Sequence, residues 1–474
     1  MRTRLVAGAA AAAMFCSALL TGAGTPARAP AMSGTWGKAE QVPGTATLNK
    51  GNAQTLSVSC ASPGNCAAGG TYTDRLGHHQ AFVVSEKNGK WQTAEEVPGS
   101  GALNKGGSAV IASVSCTSAG DCTAGGAYTS ASHQGLSMVA REKGDTWGKA
   151  KEVPGSAALG VDSYIQSVSC ATASNCGADG AFIANGKTQV WVAAEAGGTW
   201  GTAEALPGIV ALNKDGIAGA ETLSCASAGN CGAGGFYQDK SGNQQAFVAD
   251  EKNGTWGSAE QVPGTAILNK GGNAEITSVS CTSAGNCVAG GNYTGRSGTE
   301  AFTVTEKNGT WGTAKQVPGS AALNLGGFAY VASLSCASAG DCSAGGQYTD
   351  HSGHEQAFIV GEKNGRWGDA KQVPGTASLN KGGGAQITSL SCASPGNCGA
   401  GGVYTDGLGR GQVFVVDESN GTWGGAEQVP GTADLNKGGA QIAAVSCASV
   451  SHCGAGGFYV DNSGRLEAFV VSET

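Results

Sequence analysis

The sequence predicts an all-β protein made of eight copies of one four-stranded unit, and three observations carry this prediction. Glycine supplies 81 of the 474 residues, which disfavours a helical protein because glycine costs about 1 kcal/mol in a helix interior. The hydrophobic fraction is 40% and the net charge is small for the length, which argues against a disordered chain. A Cys-x5-Cys pair recurs every 54 to 56 residues, which indicates a structural repeat.

Each unit contains four short segments that we interpret as strands a to d. Strand a ends at the first cysteine, as in Ile276 to Cys281, and strand b begins at the second cysteine. Strand c has the pattern A-F-V-V-x-E, and strand d runs from a tryptophan to V-P-G, where proline ends the ladder. An Asn-Gly pair between strands c and d, such as Asn88-Gly89, predicts a tight hairpin.

Eight such antiparallel units predict an eight-bladed β-propeller with one disulfide in each blade. A solenoid is the alternative architecture, but solenoids need atypical capping repeats. Here the two ends complement each other, because the chain begins with a lone strand d at residues 33–44 and ends after a strand c at residues 466–473. We therefore expect the N-terminal strand to complete the last blade and close the ring, which removes an open sheet edge.

Residues 1–31 have the organisation of a secretory signal peptide. Arg2 and Arg4 precede an apolar, alanine-rich stretch that ends in Ala-x-Ala sequences, so we expect export and removal of this segment. Cys16 lacks the small neighbours of a lipid-attachment site, which predicts release into the extracellular medium rather than anchoring. The propeller then occupies residues 32–474, where no run approaches the 18 apolar residues of a membrane span.

The charge balance excludes two classes of partner. Removal of the three leader arginines leaves 25 basic and 35 acidic residues, a net charge of −10. Binding to phosphate requires clustered lysine and arginine, so we expect no nucleic-acid partner. Anionic membranes are excluded for the same reason.

The sixteen cysteines that follow the leader are expected to form eight disulfides. A regular, even cysteine count in an exported chain predicts a disulfide framework. Zinc is the alternative, but it needs four ligands close together, and each unit supplies two sulfurs without a repeated histidine. We therefore expect no metal and no cofactor. The predicted bridges are Cys60/Cys66, Cys116/Cys122, Cys170/Cys176, Cys225/Cys231, Cys281/Cys287, Cys336/Cys342, Cys392/Cys398 and Cys447/Cys453.

Repeated Asn-Lys pairs between strands d and a are the first set of candidate ligand-binding residues. In a propeller the d–a and b–c connections share one face, and the a–b and c–d turns share the other. An amide and an ammonium group suit sugar hydroxyls or a carboxylate, whereas an asparagine that caps a turn is the structural alternative. The candidates are Asn49, Lys50, Asn104, Lys105, Asn213, Lys214, Asn269, Lys270, Asn380, Lys381, Asn436 and Lys437.

Aspartates that open the b–c turns in a D-x-x-G pattern are the second set. Aspartate at the first position of a turn is ordinary turn chemistry, and sugar or calcium binding is the functional alternative. One carboxylate per loop falls short of the several oxygen ligands that calcium requires. These aspartates are Asp74, Asp239, Asp350, Asp406 and Asp461.

The sequence shows no asymmetric group of acid, base and nucleophile, so we expect no catalytic residues and no enzyme. A glycosidase needs two carboxylates at one centre. The third unit is the main irregularity, with Asp162, Tyr164, Asp179 and Trp191 in place of the usual residues. The tryptophan that begins each strand d is expected to pack between blades, with sugar stacking as the alternative.

The pattern S-V-S-C-A-S-x-G-N-C-x-A-G-G resembles the secreted propeller repeats of high-GC Gram-positive bacteria such as Streptomyces, over residues 33–474. Propeller lectins similar to these are subunits of the umbrella toxin particles of Streptomyces, where they are thought to guide an antibacterial complex to target cells. The resemblance implies a glycan-binding face and a protein-docking face here.

These observations predict a secreted, lectin-like propeller. Eight similar blades give avidity on a polymer even when each site is weak, so the expected partner is a repetitive cell-surface glycan or cell-wall polymer. The resemblance extends this to a targeting subunit that joins other secreted proteins in an extracellular toxin complex. The alternatives are a carbohydrate-active enzyme and a protein-interaction scaffold without glycan binding.

Overall fold

The computed structural model describes residues 34–474, and the predicted signal peptide lies outside the described residues. The described chain forms eight antiparallel sheets in the order a-b-c-d. Strands a of neighbouring blades contact one another around a closed ring, so they surround the axis while strands d form the rim. The protein is an eight-bladed β-propeller, as predicted.

The three inner strands of each blade have closely similar bounds. Strands a are Ala53–Ser62, Ala109–Ser118, Val161–Thr172, Ala218–Ser227, Ala274–Ser283, Ala329–Ser338, Ala385–Ser394 and Ala440–Ser449. Strands b are Asn65–Thr73, Asp121–Thr129, Asn175–Ala184, Asn230–Gln238, Asn286–Thr294, Asp341–Thr349, Asn397–Thr405 and His452–Val460. Strands c are His79–Lys87, Gly135–Arg141, Lys187–Ala196, Gln244–Lys252, Thr299–Lys307, Glu355–Lys363, Gly411–Ser419 and Leu466–Ser472.

Strand d is split into two short pieces, which the sequence did not predict. Between the pieces an alanine N–H leaves the ladder and donates to the V-P-G proline carbonyl of the preceding blade, as Ala94 does to Pro43 at 2.7 Å. The first pieces are Lys90–Trp91, Thr199–Trp200, Thr255–Trp256, Thr310–Trp311, Arg366–Trp367 and Thr422–Trp423. The second pieces are Glu40–Gln41, Glu95–Glu96, Lys151–Glu152, Glu204–Ala205, Glu260–Gln261, Lys315–Gln316, Lys371–Gln372 and Glu427–Gln428.

One helical turn follows each strand d. It begins after the glycine of V-P-G, which adopts the left-handed conformation, as at Gly44 with φ of 88°, and glycine takes this conformation at little cost. The turns are Thr45–Leu48, Ser100–Leu103, Ser156–Leu159, Ile209–Leu212, Thr265–Leu268, Ser320–Leu323, Thr376–Leu379 and Thr432–Leu435. No helix within residues 34–474 is long and apolar enough to cross a bilayer.

All eight predicted disulfides are formed, and each joins facing residues of strands a and b. The first cysteine of each pair is partly buried, whereas the second belongs to the hydrophobic core and is at most 6% exposed. The bridges are therefore part of the packing between blades. The buried second cysteines are Cys66, Cys122, Cys176, Cys231, Cys287, Cys342, Cys398 and Cys453.

The serines of the S-x-S-C pattern connect neighbouring blades. The N–H of Cys116 donates to Ser59 Oγ at 2.9 Å, and the equivalent bond occurs at every junction, including Cys60 to Ser446. Each such bond contributes roughly 1 kcal/mol, so the repeat pattern itself holds the ring together.

The N-terminal strand closes the ring as predicted. Glu40 pairs with Val470 and Gln41 with Phe469 in the sheet of the eighth blade, and Trp36 forms a bridge with Glu473. The core lies between blades, where the aromatic side chain of strand c is fully buried. These residues are Phe82, Phe247, Phe302, Phe358, Phe414 and Phe469, with Trp191 in the third blade.

Candidate functional site

The predicted Asn-Lys pairs lie on the face formed by the d–a and b–c connections, which we call the loop face. Their asparagine side chains are buried and donate inside the fold, as Asn104 Nδ2 does to His79 O and Gln80 Oε1, both at 3.0 Å. Their lysines are mostly exposed, and Lys105 Nζ donates to Gly101 O at 3.0 Å. The same contact to strand c is made by Asn213, Asn269, Asn324, Asn380 and Asn436, whereas Asn49 donates to Glu467.

The side chains of the predicted aspartates accept hydrogen bonds from residues of their own b–c turns. Asp406 accepts the N–H groups of Leu408 and Arg410 on one oxygen and Gln412 Nε2 at 3.0 Å on the other. Burial opposes ionisation, but the bonds from Arg410 and Gln412 outweigh it and lower the pKa of Asp406 to about 2. Gln412 also accepts a bond from Asn436 at 3.0 Å. A glutamine that sequence reasoning missed therefore links the two predicted sets.

The disulfides have a structural role, because the second cysteine of each pair is a core residue. Cys66 and Cys231 are 6% exposed and Cys122 is 5% exposed, and each packs within a hydrophobic cluster between blades. The bridge that contains Cys231 lies against Gly177 of the preceding blade, where a Cβ would lie 3.3 Å from Cys231 Sγ. Their buried, oxidised sulfurs offer no group to a ligand, so their role is structural.

The inner strands carry an asymmetric cluster, of which the sequence analysis noted only Tyr164 and Asp179, as irregularities of the third unit. Side chains at the second and fourth positions of strand a are partly exposed, whereas those at the first, third and sixth positions are buried. Because strands a surround the axis, the partly exposed positions face it. In blades 3 to 6 these positions are occupied by Tyr164, Glu221, Glu275 and Tyr330, and Asp179 lies next to them on strand b of blade 3. We call these five residues the axial cluster.

Asp179 is the most unusual member of the axial cluster, because its place is taken by glycine in the other blades. At the equivalent Gly69, a Cβ would lie 2.5 Å from the Ile111 side chain of the next blade. Blade 4 has Ala220 in place of that isoleucine, which leaves room for the aspartate. Asp179 is fully buried, its Oδ1 accepts the Ser167 N–H at 3.1 Å, and its Oδ2 has no partner among residues 34–474. Burial raises the pKa of Asp179 well above its ordinary value.

Glu221 and Glu275 supply two further carboxyl groups to the axial cluster. Burial, reinforced by the charge of Glu275, raises the pKa of Glu221 to about 7. Glu275 accepts a bond from Gln244 Nε2 at 3.0 Å, and burial raises its pKa as well. The cluster therefore holds one carboxyl group, Glu221, with a pKa near neutral pH, beside two others whose pKa values are raised, a property that is typical of functional sites.

Aromatic rings flank these carboxyl groups. Tyr164 is 39% exposed and Phe328 is 43% exposed. Phe328 packs edge-on against Tyr330, with ring centroids 5.7 Å apart, and the Tyr330 hydroxyl donates to Gln386 Oε1 at 2.8 Å. An alignment of the eight repeats would have revealed this cluster, because its members differ from the residues that the other blades have at the same positions of the inner strands.

Exposed large apolar side chains are also distributed unequally. Within the described chain ten are exposed, and nine of them lie on the loop face, with Val450 as the exception. Seven of the nine lie at or beside the d–a connections that lead into blades 3 to 6, the same sector as the axial cluster. These seven are Val161, Tyr164, Val210, Ile217, Ile267, Leu325 and Phe328.

The opposite face, formed by the a–b and c–d turns, carries a ring of buried glutamates. Each lies at or just after the end of a strand c. Several of them contact the residue that precedes the equivalent glutamate in the blade before. Ser85 Oγ donates to Glu142 at 2.5 Å, and Arg141 lies 3.4 Å from Glu195. The ring consists of Glu86, Glu142, Glu195, Glu251, Glu306, Glu362, Glu418 and Glu473, each at most 9% exposed.

These features define the class of the protein as an eight-bladed, disulfide-bridged β-propeller. No family model matches the chain, and no curated protein matches it. Sqt1 from Chaetomium thermophilum shares the fold at 12% identity, covering 92% of this chain and 98% of that chain, with a TM-score of 0.51.

Two further solved structures resemble the chain with TM-scores below 0.5. Sqt1 bound to the N-terminus of the ribosomal protein L10 is 11% identical and covers 90% of this chain and 98% of that chain, with a TM-score of 0.49. A subtype N11 neuraminidase-like protein of a flat-faced bat influenza isolate is 11% identical and covers 93% and 94%, with a TM-score of 0.39. At such identities the similarity shows the fold alone.

Proposed function

We propose that this chain is a secreted, lectin-like propeller that binds a repetitive cell-surface glycan on its loop face, at the axial cluster. The observation that carries the proposal is the combination of Tyr164 and Phe328, both exposed, with the carboxyl groups of Glu221 and Glu275. Aromatic rings pack against the apolar faces of sugars, and carboxylates accept bonds from sugar hydroxyls. A few convergent polar groups beside apolar surface are the usual composition of a ligand site.

The electrostatics of the axial cluster favour a neutral or amino-bearing sugar. The ionisable groups that act on Tyr164 are Glu221 and Asp179, and those that act on Tyr330 are Glu355 and Glu275. None of these groups is basic, so a uronic or sialic acid finds no countercharge there, whereas an amino sugar is attracted to the carboxyl groups that are ionised. The lysines and aspartates predicted from the sequence serve in this proposal as secondary contacts around the loop face.

Secretion and a targeting role complete the proposal. Eight disulfides fit an extracellular protein. The two faces differ in chemistry, which leaves the face of the a–b and c–d turns for docking to other subunits of an extracellular complex. The resemblance of the repeat to toxin-particle lectins supports this assignment.

Glycan binding is tested with residues 32–474 and a panel of cell-wall polysaccharides, measured by calorimetry. The paired change Tyr164→Ala and Phe328→Ala is expected to weaken binding at least about tenfold, which corresponds to about 1.4 kcal/mol. The matched control is Leu76→Ala with Leu408→Ala, two exposed apolar residues of the same face in other blades. Failure of the wild-type protein to bind any polysaccharide, or equal binding by both double variants, contradicts the proposal.

A carbohydrate-active enzyme is the second candidate, and Asp179 is the observation that favours it. Asp179 and Glu221 are two carboxyl groups in different environments, and burial raises the pKa of both, as acid–base catalysis can use. Turnover of a bound polysaccharide that is lost in Asp179→Asn while binding persists would establish this alternative. A stoichiometric secreted protein partner without any glycan binding would instead establish the scaffold.

A further inference from the structure

Two carboxylates meet at the junction between blades 7 and 8, where the N-terminal strand closes the ring. Asp417 lies near the end of strand c of blade 7, and Glu473 occupies the equivalent glutamate position of blade 8. Their nearest ligand atoms lie within 4.8 Å of each other. Glu427, on strand d of blade 7, acts on both as a third negative charge.

Both carboxylates contain buried oxygens that nothing in residues 34–474 satisfies. Glu473 is 3% exposed, and its Oε2 has no hydrogen-bond partner. Asp417 Oδ1 is likewise without a partner, while its Oδ2 accepts a bond from Trp36 Nε1 at 3.0 Å. A buried carboxylate without a partner is strongly destabilised unless it takes up a proton or a positive charge compensates it.

At two other junctions a serine faces the glutamate, although Glu86 Oε2 at one of them also has no hydrogen-bond partner within residues 34–474. At the junction of blades 8 and 1 the residue in the place of Asp417 is Ser472, whose Oγ donates to Glu86 at 2.6 Å. At the junction of blades 1 and 2 it is Ser85, which donates to Glu142. A donor faces the glutamate at these two junctions, whereas at the ring closure an acceptor does.

A second junction, between blades 4 and 5, provides a natural comparison. There Asp250 faces Glu306, and the ammonium group of Lys252 acts on both. The residue in the place of Lys252 at the ring closure is Ser419. The junction of blades 7 and 8 therefore has an acidic pair like that of blades 4 and 5, but it has no lysine at the position of Lys252.

We propose that Asp417 and Glu473 bind a divalent cation, with calcium as the fitting ion. Calcium prefers carboxylate and other oxygen ligands and accepts irregular geometry completed by waters. Cys453 Sγ lies within the same 4.8 Å, but it is held in the disulfide with Cys447 and is not a thiolate, which disfavours zinc.

Such an ion joins the two ends of the chain. It contacts strand c of blade 7 through Asp417 and the C-terminal strand through Glu473, and Trp36 connects the N-terminal strand to the same site. A Cβ at Gly34 would collide with Glu473 Oε1, so the N-terminal segment lies directly over the carboxylate. The ion stabilises the closed ring independently of the loop face and its ligand.

Terbium and calcium provide the test, with residues 32–474 in chelator-treated buffer. Because the Trp36 indole lies beside Asp417, excitation of tryptophan is expected to sensitise terbium luminescence, which calcium displaces. Calcium at 100 times its dissociation constant is expected to raise the melting temperature by about 3 °C over the chelated protein. Trp36→Phe is expected to lower the luminescence and retain the calcium-induced shift.

Asp417→Ser is the decisive variant, because it recreates the Ser85 arrangement that the protein already uses between blades 1 and 2. It is expected to fold and to lose both the luminescence and the calcium-induced shift, as is Glu473→Gln. The control Asp250→Asn is expected to retain both. A wild-type protein that responds to neither ion, or responses that persist in Asp417→Ser, overturn the proposal. A melting temperature that depends on pH but not on calcium indicates a shared proton instead and overturns it equally.

Discussion

The inner strands of blades 3 to 6 and those of blades 7, 8, 1 and 2 share one strand order and differ in their side-chain chemistry. Both halves have the serine bonds between strands a, the disulfides and the proline contacts at the rim. Facing the axis, one half has Tyr164, Glu221, Glu275 and Tyr330, whereas the other has mostly alanine, threonine and glutamine. The repeated residues form the bonds of the scaffold, and the departures from the repeat place aromatic and carboxyl groups around the axis.

Loss of a disulfide is expected to have the largest effect and to affect both halves equally. Replacement of Cys170 and Cys176 by serine in blade 3, or of Cys392 and Cys398 in blade 7, should each lower the free energy of unfolding by about 2 kcal/mol, because each bridge closes a loop of similar length. Denaturant unfolding of the two variants measures this. A much larger loss in one half would contradict a uniform scaffold.

The packing of Asp179 beside Ala220 also distinguishes the two halves. Asp179 stands where the other blades have glycine, and Ala220 stands where blade 2 has Ile111. Ala220→Ile should lower the free energy of unfolding by about 2 kcal/mol, because the isoleucine overlaps the space of the buried carboxyl group. Adding Asp179→Gly should restore stability, because this pair is the arrangement of Gly69 and Ile111 in the first two blades. Thermal unfolding of the two single variants and the double variant gives the coupling energy. Additive effects would show that the two residues are independent.

The pH dependence of stability also distinguishes the axial cluster. Because the folded protein raises the pKa of Glu221 from 4.5 to about 7, its protonated form stabilises the fold below pH 4.5, and this contribution is lost as the pH rises through 7. The loss is roughly 1–3 kcal/mol. Glu221→Gln should flatten the decline in melting temperature between pH 5 and 8. An unchanged slope in that variant would assign the decline to other groups, such as Glu306, whose pKa burial and Asp250 raise to about 7.

Exposed lysines of the loop face should have the smallest effect. Lys105→Ala and Lys381→Ala together are expected to weaken glycan binding by about two- to threefold, because each ammonium group is solvated and an exposed contact contributes little. Calorimetry with the polysaccharide that binds the wild-type protein measures this. A loss that exceeds that of Tyr164→Ala with Phe328→Ala would move the site to the Asn-Lys loops.

The sequence predicted most of the fold, because the repeat contains the relevant signals eight times. The cysteine spacing, the Asn-Gly hairpins and the complementary ends predicted the disulfides, the blade pattern and the pairing of residues 33–44 with residues 466–473, which the structure shows between Gln41 and Phe469. The break in strand d was missed, because it depends on the bond from Ala94 to Pro43 in another blade.

The axial cluster was missed for a related physical reason. Asp179, Glu221 and Glu275 lie in three blades, and only the closed ring brings their carboxyl groups together. The asparagines and aspartates attracted attention because they repeat, yet the structure gives their side chains partners within the fold. The role of these residues in binding stays a prediction.

The most direct measurement is glycan binding by a variant in which the axial cluster is replaced with residues that other blades have at the same positions. We expect this variant to have a melting temperature equal to or above that of the wild-type protein and to lose glycan binding. Retained binding with an intact fold would contradict the claim that departures from the repeat carry the function. The replacements are Tyr164→Gln, Asp179→Gly, Ala220→Ile, Glu221→Thr, Glu275→Gln and Tyr330→Gln.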